Sequence, residues 1–569
     1  MKRILFSCLS VLLCCSTLLA VPAQRVRKTV RLADGTPLAV TLVGDEHFSW
    51  LVADDGTLVE LLDAEGDVYV RTSLTLAAES RRALAARRAP KRVGSQATAP
   101  LPAFGTVRVP VVLVNFADSV FTVGETDEEI RAYYDLFCNG TRDGELYKGH
   151  GSYGSVRDYF LQQSEGLFQP EFTIIGPVTL PNPESSYGKN GSGTNKDTGY
   201  SNFRKDAITA ATAIYEGDWM DFDNQGKGQV DMVFYVYAGC GENSGADATT
   251  LWPKESTAST TVNGIKFATT GCTSESSLVF IEKDKVMVPS RSQHDGIGVF
   301  CHELSHALGL PDFYDTSYQA FGMDLWSLMD YGCYANNGYQ PGGYNAYERD
   351  FMGWRALETL TEPCDLVLQP MEAGGIGYKI VNDENPDEYY IIENRQSVGW
   401  DETLGRMGHG LLVTHVDYNA SAWNNNHVNT RADHQRMTII AANDRYVGTT
   451  ISRDFAEWRK TWEGNLYPYK KTAWEYNDSL TANSVPAATV YTKSGFMYKN
   501  LNAIKEQEDG SVTLHFGNDY DVVGIRPLSA DERRRTQDVY DLTGRRLTGR
   551  EASLAPGIYV VGGRKRAVR

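Results

Sequence analysis

The clearest hydrophobic signals in the chain are two near-continuous apolar runs. They are Val109-Pro110-Val111-Val112-Leu113-Val114-Asn115-Phe116 and Val230-Asp231-Met232-Val233-Phe234-Tyr235-Val236-Tyr237. Each has the length and β-branched character of a buried strand. Between them, Val156, Tyr159 and Phe160 recur at helical spacing, and Ser155 can cap the N-terminus, which predicts a helix over 155–163. Residues 24 to about 75 hold strand-like stretches such as Thr29-Val30-Arg31-Leu32, broken by the turn dipeptides Asp34-Gly35 and Asp55-Gly56. Beyond about residue 365 the pattern turns to strands again, with Tyr389-Tyr390-Ile391-Ile392-Glu393 and Gly410-Leu411-Leu412-Val413-Thr414-His415-Val416. Together these predict an α+β multidomain chain with β-rich regions on both sides of a mixed central domain.

Composition narrows the class. The chain has 569 residues, which at about 150 residues per domain suggests three to four domains. Apolar residues at 42% and charged residues at 22% exclude wholesale disorder. The formal charge of −17 argues against nucleic acid or an anionic membrane as the main partner, since both require clustered cations.

The start of the chain reads as a secretory signal over 1–23. Lys2 and Arg3 precede an apolar run from Ile4 to Ala20, and Val21-Pro22-Ala23 supplies small residues for cleavage before Gln24. The run is slightly short for a membrane span, and no later stretch reaches about 18 apolar residues. The expectation is a protein that is secreted or at the cell surface, without stable membrane insertion. Cys8, Cys14 and Cys15 leave with the signal. Cys138, Cys240, Cys272, Cys301, Cys333 and Cys364 remain, an even set that permits disulfides. Residues 76 to 104 shift to Ala, Arg, Lys and Pro, with dibasic pairs at Arg81-Arg82, Arg87-Arg88 and Lys91-Arg92. An exposed basic linker is open to proteolytic nicking, so 24–104 reads as a propeptide with its linker.

The candidate chemistry lies in Gly298-Val299-Phe300-Cys301-His302-Glu303-Leu304-Ser305-His306-Ala307-Leu308-Gly309-Leu310-Pro311-Asp312. On a helix, His302 and His306 are four apart and share a face, a spacing suited to two ligands of one Zn²⁺. Glu303, about 100° round the helix, can lie beside the metal as a general base without ligating it. Gly309 can adopt the left-handed conformation that ends the helix, and Pro311 prevents it resuming. The chain then bends back and offers Asp312 as a third ligand, with Asp315 as the alternative.

These residues resemble the metzincin pattern H-E-x-x-H-x-x-G-x-x-H, with Asp312 in the last position. By that resemblance, Ser327-Leu328-Met329-Asp330-Tyr331-Gly332 is a Met-turn. Met329 packs beneath the metal, and the Tyr331 hydroxyl helps hold the oxyanion. More narrowly, Phe300-Cys301-His302-Glu303 through Gly309-Leu310-Pro311-Asp312-Phe313-Tyr314-Asp315 is similar to secreted metallopeptidases of the immune inhibitor A type. Val156-Arg157-Asp158-Tyr159-Phe160 with Ser164-Glu165-Gly166 resembles their upstream catalytic segment. The resemblance covers roughly 105 to 440. It implies a zincin/metzincin-like catalytic domain over 105–365, zinc-dependent endopeptidase activity on protein substrates and a removable propeptide. Val43-Gly44-Asp45 is similar to the Gly-Asp segment whose aspartate caps zinc in some metzincin proforms. Residues 366–520 are expected to form β-sandwich-like modules.

Two further segments carry resemblances. Asp223-Asn224-Gln225-Gly226-Lys227-Gly228-Gln229-Val230-Asp231 is similar to a calcium loop, but Gln225 and Lys227 replace two carboxylates. Calcium prefers several anionic oxygens, so a glycine-rich turn is read ahead of a Ca²⁺ site. In the tail, 521–569, Val539-Tyr540-Asp541-Leu542-Thr543-Gly544-Arg545-Arg546 and Pro556-Gly557-Ile558-Tyr559-Val560-Val561 resemble type IX secretion sorting tails, which implies secretion machinery as a partner. Two competing readings stand beside the peptidase. One is a zinc-retaining adhesion or binding protein that has lost catalysis. The other is a gluzincin-type peptidase with a distant Glu ligand.

Overall fold

The computed structural model describes residues 18–19, 21–45, 48–63, 68–75, 99–140, 152–191, 196–283, 286–317, 320–444, 462–470 and 476–518, with short stretches at 539–540, 546–547, 557–561 and 564–568. The signal run, apart from 18–19, and the dibasic linker pairs lie outside the described residues. The chain divides into two units, 1–517 and 518–569. In the second, the strands Val539–Tyr540, Arg546–Leu547, Gly557–Val561 and Arg564–Val568 form one four-stranded sheet.

Within the first unit, β1 is the short strand Leu18–Leu19. A closed barrel follows, formed by β2 (Arg27–Leu32), β3 (Pro37–Asp45), β4 (Phe48–Ala53), β5 (Thr57–Asp63) and β6 (Val68–Thr75). Neighbours run antiparallel, and β2 closes the ring by pairing parallel with β6. The turn dipeptides sit where the sequence predicts them. Gly35 at φ 84° and Gly56 at φ 91° take the left-handed conformation that an L side chain resists.

The central sheet runs in the order β1-β10-β12-β9-β7-β8. Its members are β7 (Gly105–Asn115), β8 (Phe168–Thr179), β9 (Val230–Cys240), β10 (Lys254–Ser256) and β12 (Ile265–Lys283), with the short β11 (Thr260–Val262) paired to β12 off this path. The strands β8, β7, β9 and β12 are parallel, while β10 runs antiparallel to β12. The unbroken apolar runs follow from burial on both faces. Val107, Val109, Val111 and Leu113 join one core, and Val112 and Val114 the other.

The first of these cores carries α1 (Asp127–Asn139), α2 (Val156–Gln163) and α4 (Gly298–Ala307); the second carries α3 (Tyr200–Ile214). Ser155 caps α2 in a capping box with Asp158, as its sequence predicts. Phe300 of α4 stacks on Phe234 of β9, with centroids 3.7 Å apart, and both rings are fully buried. Burying a ring of this size is worth roughly 1.5–3 kcal/mol, and here it fixes the helix against the sheet.

Beyond the catalytic-domain expectation, a five-stranded sheet contains Asn385–Arg395 and Gly410–Asp417 at its centre. A three-stranded sheet pairs Cys364–Leu368, Val512–Phe516 and Leu501–Glu506. The two sheets share one core, which includes Leu368, Ile380, Ile392, Val413, Leu501 and Leu514. The six remaining cysteines are free thiols, with Cys301 fully buried among apolar neighbours.

Candidate metal centre

Every residue of α4 is buried. The helix starts at Gly298, where a Cβ would collide with the carbonyl oxygen of Cys333, so glycine lets the helix meet the segment after the expected Met-turn. It stops at Gly309, whose φ of 106° turns the chain. The Gly309 N–H donates to the His306 carbonyl at 2.9 Å, and the Leu310 N–H donates to that of Ser305 at 3.2 Å.

This bend makes the next interaction local. His306 Nδ1 lies 2.8 Å from the Leu310 carbonyl, and His302 Nδ1 lies 2.8 Å from that of Leu328. A carbonyl can only accept, so each Nδ1 carries its proton and each Nε2 presents a lone pair. The two Nε2 atoms face each other at 3.0 Å. Asp312 Oδ1 lies 3.2 Å from one and 3.3 Å from the other, without hydrogen-bond geometry to either. Three acceptor atoms therefore converge with no proton among them to share. A cation resolves that arrangement, and two imidazole nitrogens with one carboxylate oxygen form a donor set that fits zinc.

Burial lowers the pKa of His302, which favours the neutral imidazole a metal requires. Burial opposes ionisation of Asp312 as well, but a positive charge on the adjoining His306 or His302 outweighs it and holds the carboxyl below the usual range. His302, His306 and Asp312 are the only such group among the described residues. Asp315 instead accepts from the Ser317 N–H at 2.8 Å and the Ala320 N–H at 2.7 Å.

No sequence motif marks Asn426. Its Nδ2 donates to Asp312 Oδ2 at 2.6 Å, and its Oδ1 accepts from the Asp312 N–H at 2.7 Å. One asparagine thus grips both the side chain and the backbone of Asp312. Glu348 was missed as well. Its Oε1 accepts from Ser327 Oγ at 2.5 Å, and Ser327 Oγ accepts in turn from the Met329 N–H at 3.0 Å. Met329 is fully buried, beside the Leu328 carbonyl that orients His302.

The N-terminal segment lies across this centre. The Val21 N–H donates to Glu303 Oε1 at 3.0 Å. Trp252 Nε1 donates to the Val21 carbonyl at 3.0 Å, and the Tyr334 hydroxyl donates to the Pro22 carbonyl at 2.7 Å. Arg25 Nε donates to the Tyr331 hydroxyl at 2.9 Å, and its guanidinium sits over the rings of Phe321 and Tyr331. Burial pushes the Tyr331 pKa up to about 12, with Arg25 opposing. Asp45 is buried but takes the Tyr314 hydroxyl at 3.4 Å and is not in the metal group.

Comparison with known proteins bears on the same stretch. Residues 105–356 match the Immune inhibitor A peptidase M6 catalytic domain. The matched segment holds every residue of the His302, His306 and Asp312 cluster. Over 277 residues the chain is 25% identical to Immune inhibitor A of Bacillus thuringiensis subsp. alesti, covering 43% of this chain and 39% of that one. It is 24% identical over 277 residues to the pre-pro-metalloprotease PrtV of Vibrio cholerae serotype O1, covering 43% of this chain and 30% of that one. The chain thus spans well under half the length of these relatives. By these likenesses the segment 105–356 is similar to a metallopeptidase catalytic domain.

In the loop at 223–231, Asp223 accepts from the Lys227 and Gly228 N–H groups at 2.8 and 2.7 Å, and the Lys227 ammonium donates to Gln225 Oε1 at 2.5 Å. The loop's own donors thus occupy both Asp223 oxygens and Gln225 Oε1, while Asp231 Oδ1 has no hydrogen-bond partner among the described residues.

Proposed function

We propose that this chain is a secreted zinc-dependent endopeptidase that hydrolyses peptide bonds in proteins. The observation that carries the reading is the convergence of His302 Nε2, His306 Nε2 and Asp312 Oδ1 beside the buried carboxylate of Glu303. Zinc bound there supplies a lowered water pKa and a polarised peptide carbonyl. Glu303 takes the proton from the attacking water and returns it to the leaving nitrogen. Its position supports that second task, because a backbone N–H, that of Val21, already lies 3.0 Å from Oε1. Tyr331 serves the oxyanion once Arg25 releases its hydroxyl.

In this reading the described form is the precursor that still carries residues 21–23 of the expected signal, and it is latent. Its own segment, Val21 to Arg25, lies where substrate must lie, and the barrel over 24–75 acts as the propeptide that delivers it. The tail at 521–569 serves sorting through secretion machinery. Incubation of the purified secreted protein with casein, with and without 1,10-phenanthroline, tests the activity. Cleavage that stops with chelator and returns with zinc is expected, and cleavage indifferent to chelator would refute the proposal.

A further inference from the structure

A second carboxylate beside the cleft has no place in the mechanism above. Glu255, in the middle of β10, is 1% exposed, and neither of its carboxylate oxygens has a hydrogen-bond partner among the described residues. Its neighbours in the strand face the other way. Lys254 Nζ bonds to Asp197 and lies over the ring of Tyr200, on the α3 side of the sheet. Strand alternation therefore turns Glu255 to the side of α4. The register agrees, because Glu255 pairs with Gly271, and a Cβ at Gly271 would meet Met232 and Phe234, the latter stacked on Phe300 of the catalytic helix. Burial alone pushes the Glu255 pKa well above its usual value. A buried carboxyl without donors is costly, and none of the described residues pairs a cation with it.

What passes beside Glu255 is the segment that crosses the metal centre. Strand β1 pairs antiparallel with β10, with Leu18 opposite Ser256 and Leu19 opposite Glu255. Two residues on, the Val21 N–H meets Glu303. If the amide that Glu303 touches marks the scissile bond, that bond corresponds to Ala20–Val21. Residue 19 then corresponds to the second residue on the N-terminal side of the cut. Directly paired residues share a face of the sheet, with Cβ atoms about 4.5–5.5 Å apart, so a substrate residue at this register sits beside the Glu255 carboxylate.

We propose that Glu255 forms an acidic subsite that selects Arg or Lys at the second substrate residue N-terminal to the cleaved bond. A guanidinium or ammonium there gives the carboxylate the donors it lacks and draws it back to its ionised form. The resident segment places Leu19 at this position. It follows the substrate's path without supplying the cation, which suits a segment that must later leave.

The inference rests on the proposed peptidase reading, and its test separates the two. Paired peptides differing only by arginine or citrulline at the selected position keep shape and remove charge. The active secreted protein, relieved of the segment over the site, should cleave the arginine peptide about 10- to 100-fold faster in kcat/KM, the scale of one charge-assisted hydrogen bond. Glu255→Gln should erase that ratio while still cleaving the citrulline peptide, and Glu255→Asp should keep part of it. Equal rates for the two peptides with the unaltered protein would overturn the proposal, as would a ratio that survives Glu255→Gln. Fluorescence anisotropy of the same labelled peptides on Glu303→Ala protein processed to that same form reads the subsite without turnover. There the arginine peptide should bind about tenfold tighter or more, and equal affinities would overturn the subsite. Absence of all zinc-dependent cleavage, with the binding preference intact, would instead sink the peptidase reading alone.

Discussion

The backbone N–H of Val21 donates to Oε1 of Glu303 across 282 positions of sequence, at 3.0 Å. The contact joins the start of the chain to the residue assigned to proton transfer. A peptide substrate and this segment cannot hold that carboxylate together.

Arg25 fixes the segment at its other end, through the Tyr331 hydroxyl and the Phe321 and Tyr331 rings. A buried charged hydrogen bond of this kind is worth about 1.5–3 kcal/mol. Arg25→Ala in the unprocessed chain should therefore raise hydrolysis of a fluorogenic peptide by roughly 10-fold or more. Latency unchanged by the substitution would show that the segment does not restrain the site.

Asn426 acts on the metal only through Asp312, so it is a positioning residue. Losing such a partner typically weakens metal binding about 10–100-fold. Asn426→Ala should show that loss in a competitive chelator titration, with kcat near normal at saturating zinc. An unchanged zinc Kd would remove Asn426 from the site.

Gly309 sits at φ 106°, where an L side chain is strained by about 1–2 kcal/mol. Gly309→Ala should lower the melting temperature and also weaken zinc binding, because the same bend places Asp312 and the carbonyl that orients His306. A stability loss without any change in zinc Kd would uncouple the bend from the metal centre.

Burial raises the pKa of several carboxyls, with Glu184 raised to about 8, Glu242, Asp295 and Glu348 to about 7, and Asp231 to about 6. An acid whose folded pKa exceeds its unfolded value, near about 4, stabilises the fold fully below that value and loses the contribution as pH rises through the folded pKa. The melting temperature should therefore fall between pH 5 and pH 8. Glu242, held by Asn190 Nδ2 at 2.9 Å, offers the control, since Glu242→Gln should flatten part of that slope. A melting temperature that rises over this range would contradict the burial argument.

The parts of the site that were legible in the sequence are those whose physics is local. His302 and His306 share a face because of helical spacing, Gly309 marks the bend, and Asp312 follows within one turn of chain. The buried strands at 105–115 and 230–240 were legible because burial on both faces demands unbroken apolar runs. Asn426 was not legible, because it stands 114 positions from Asp312 in a run of three asparagines. Glu348 looks like any helix-capping glutamate until folding brings Ser327 to it. The Gly44-Asp45 pair at the end of β3 points to Asp45, whereas the segment over Glu303 presents only a backbone N–H. A backbone group has no residue signature, so sequence could not place it.

The central claim is that a metal-bearing cluster and Glu303 together hydrolyse peptide bonds. The most direct measurement pairs zinc content by mass spectrometry with casein hydrolysis, for the unaltered protein and for Glu303→Ala. One zinc per chain in both proteins, with hydrolysis in the first and none in the second, is the predicted result. Full hydrolysis by Glu303→Ala, or active protein without stoichiometric metal, would contradict it.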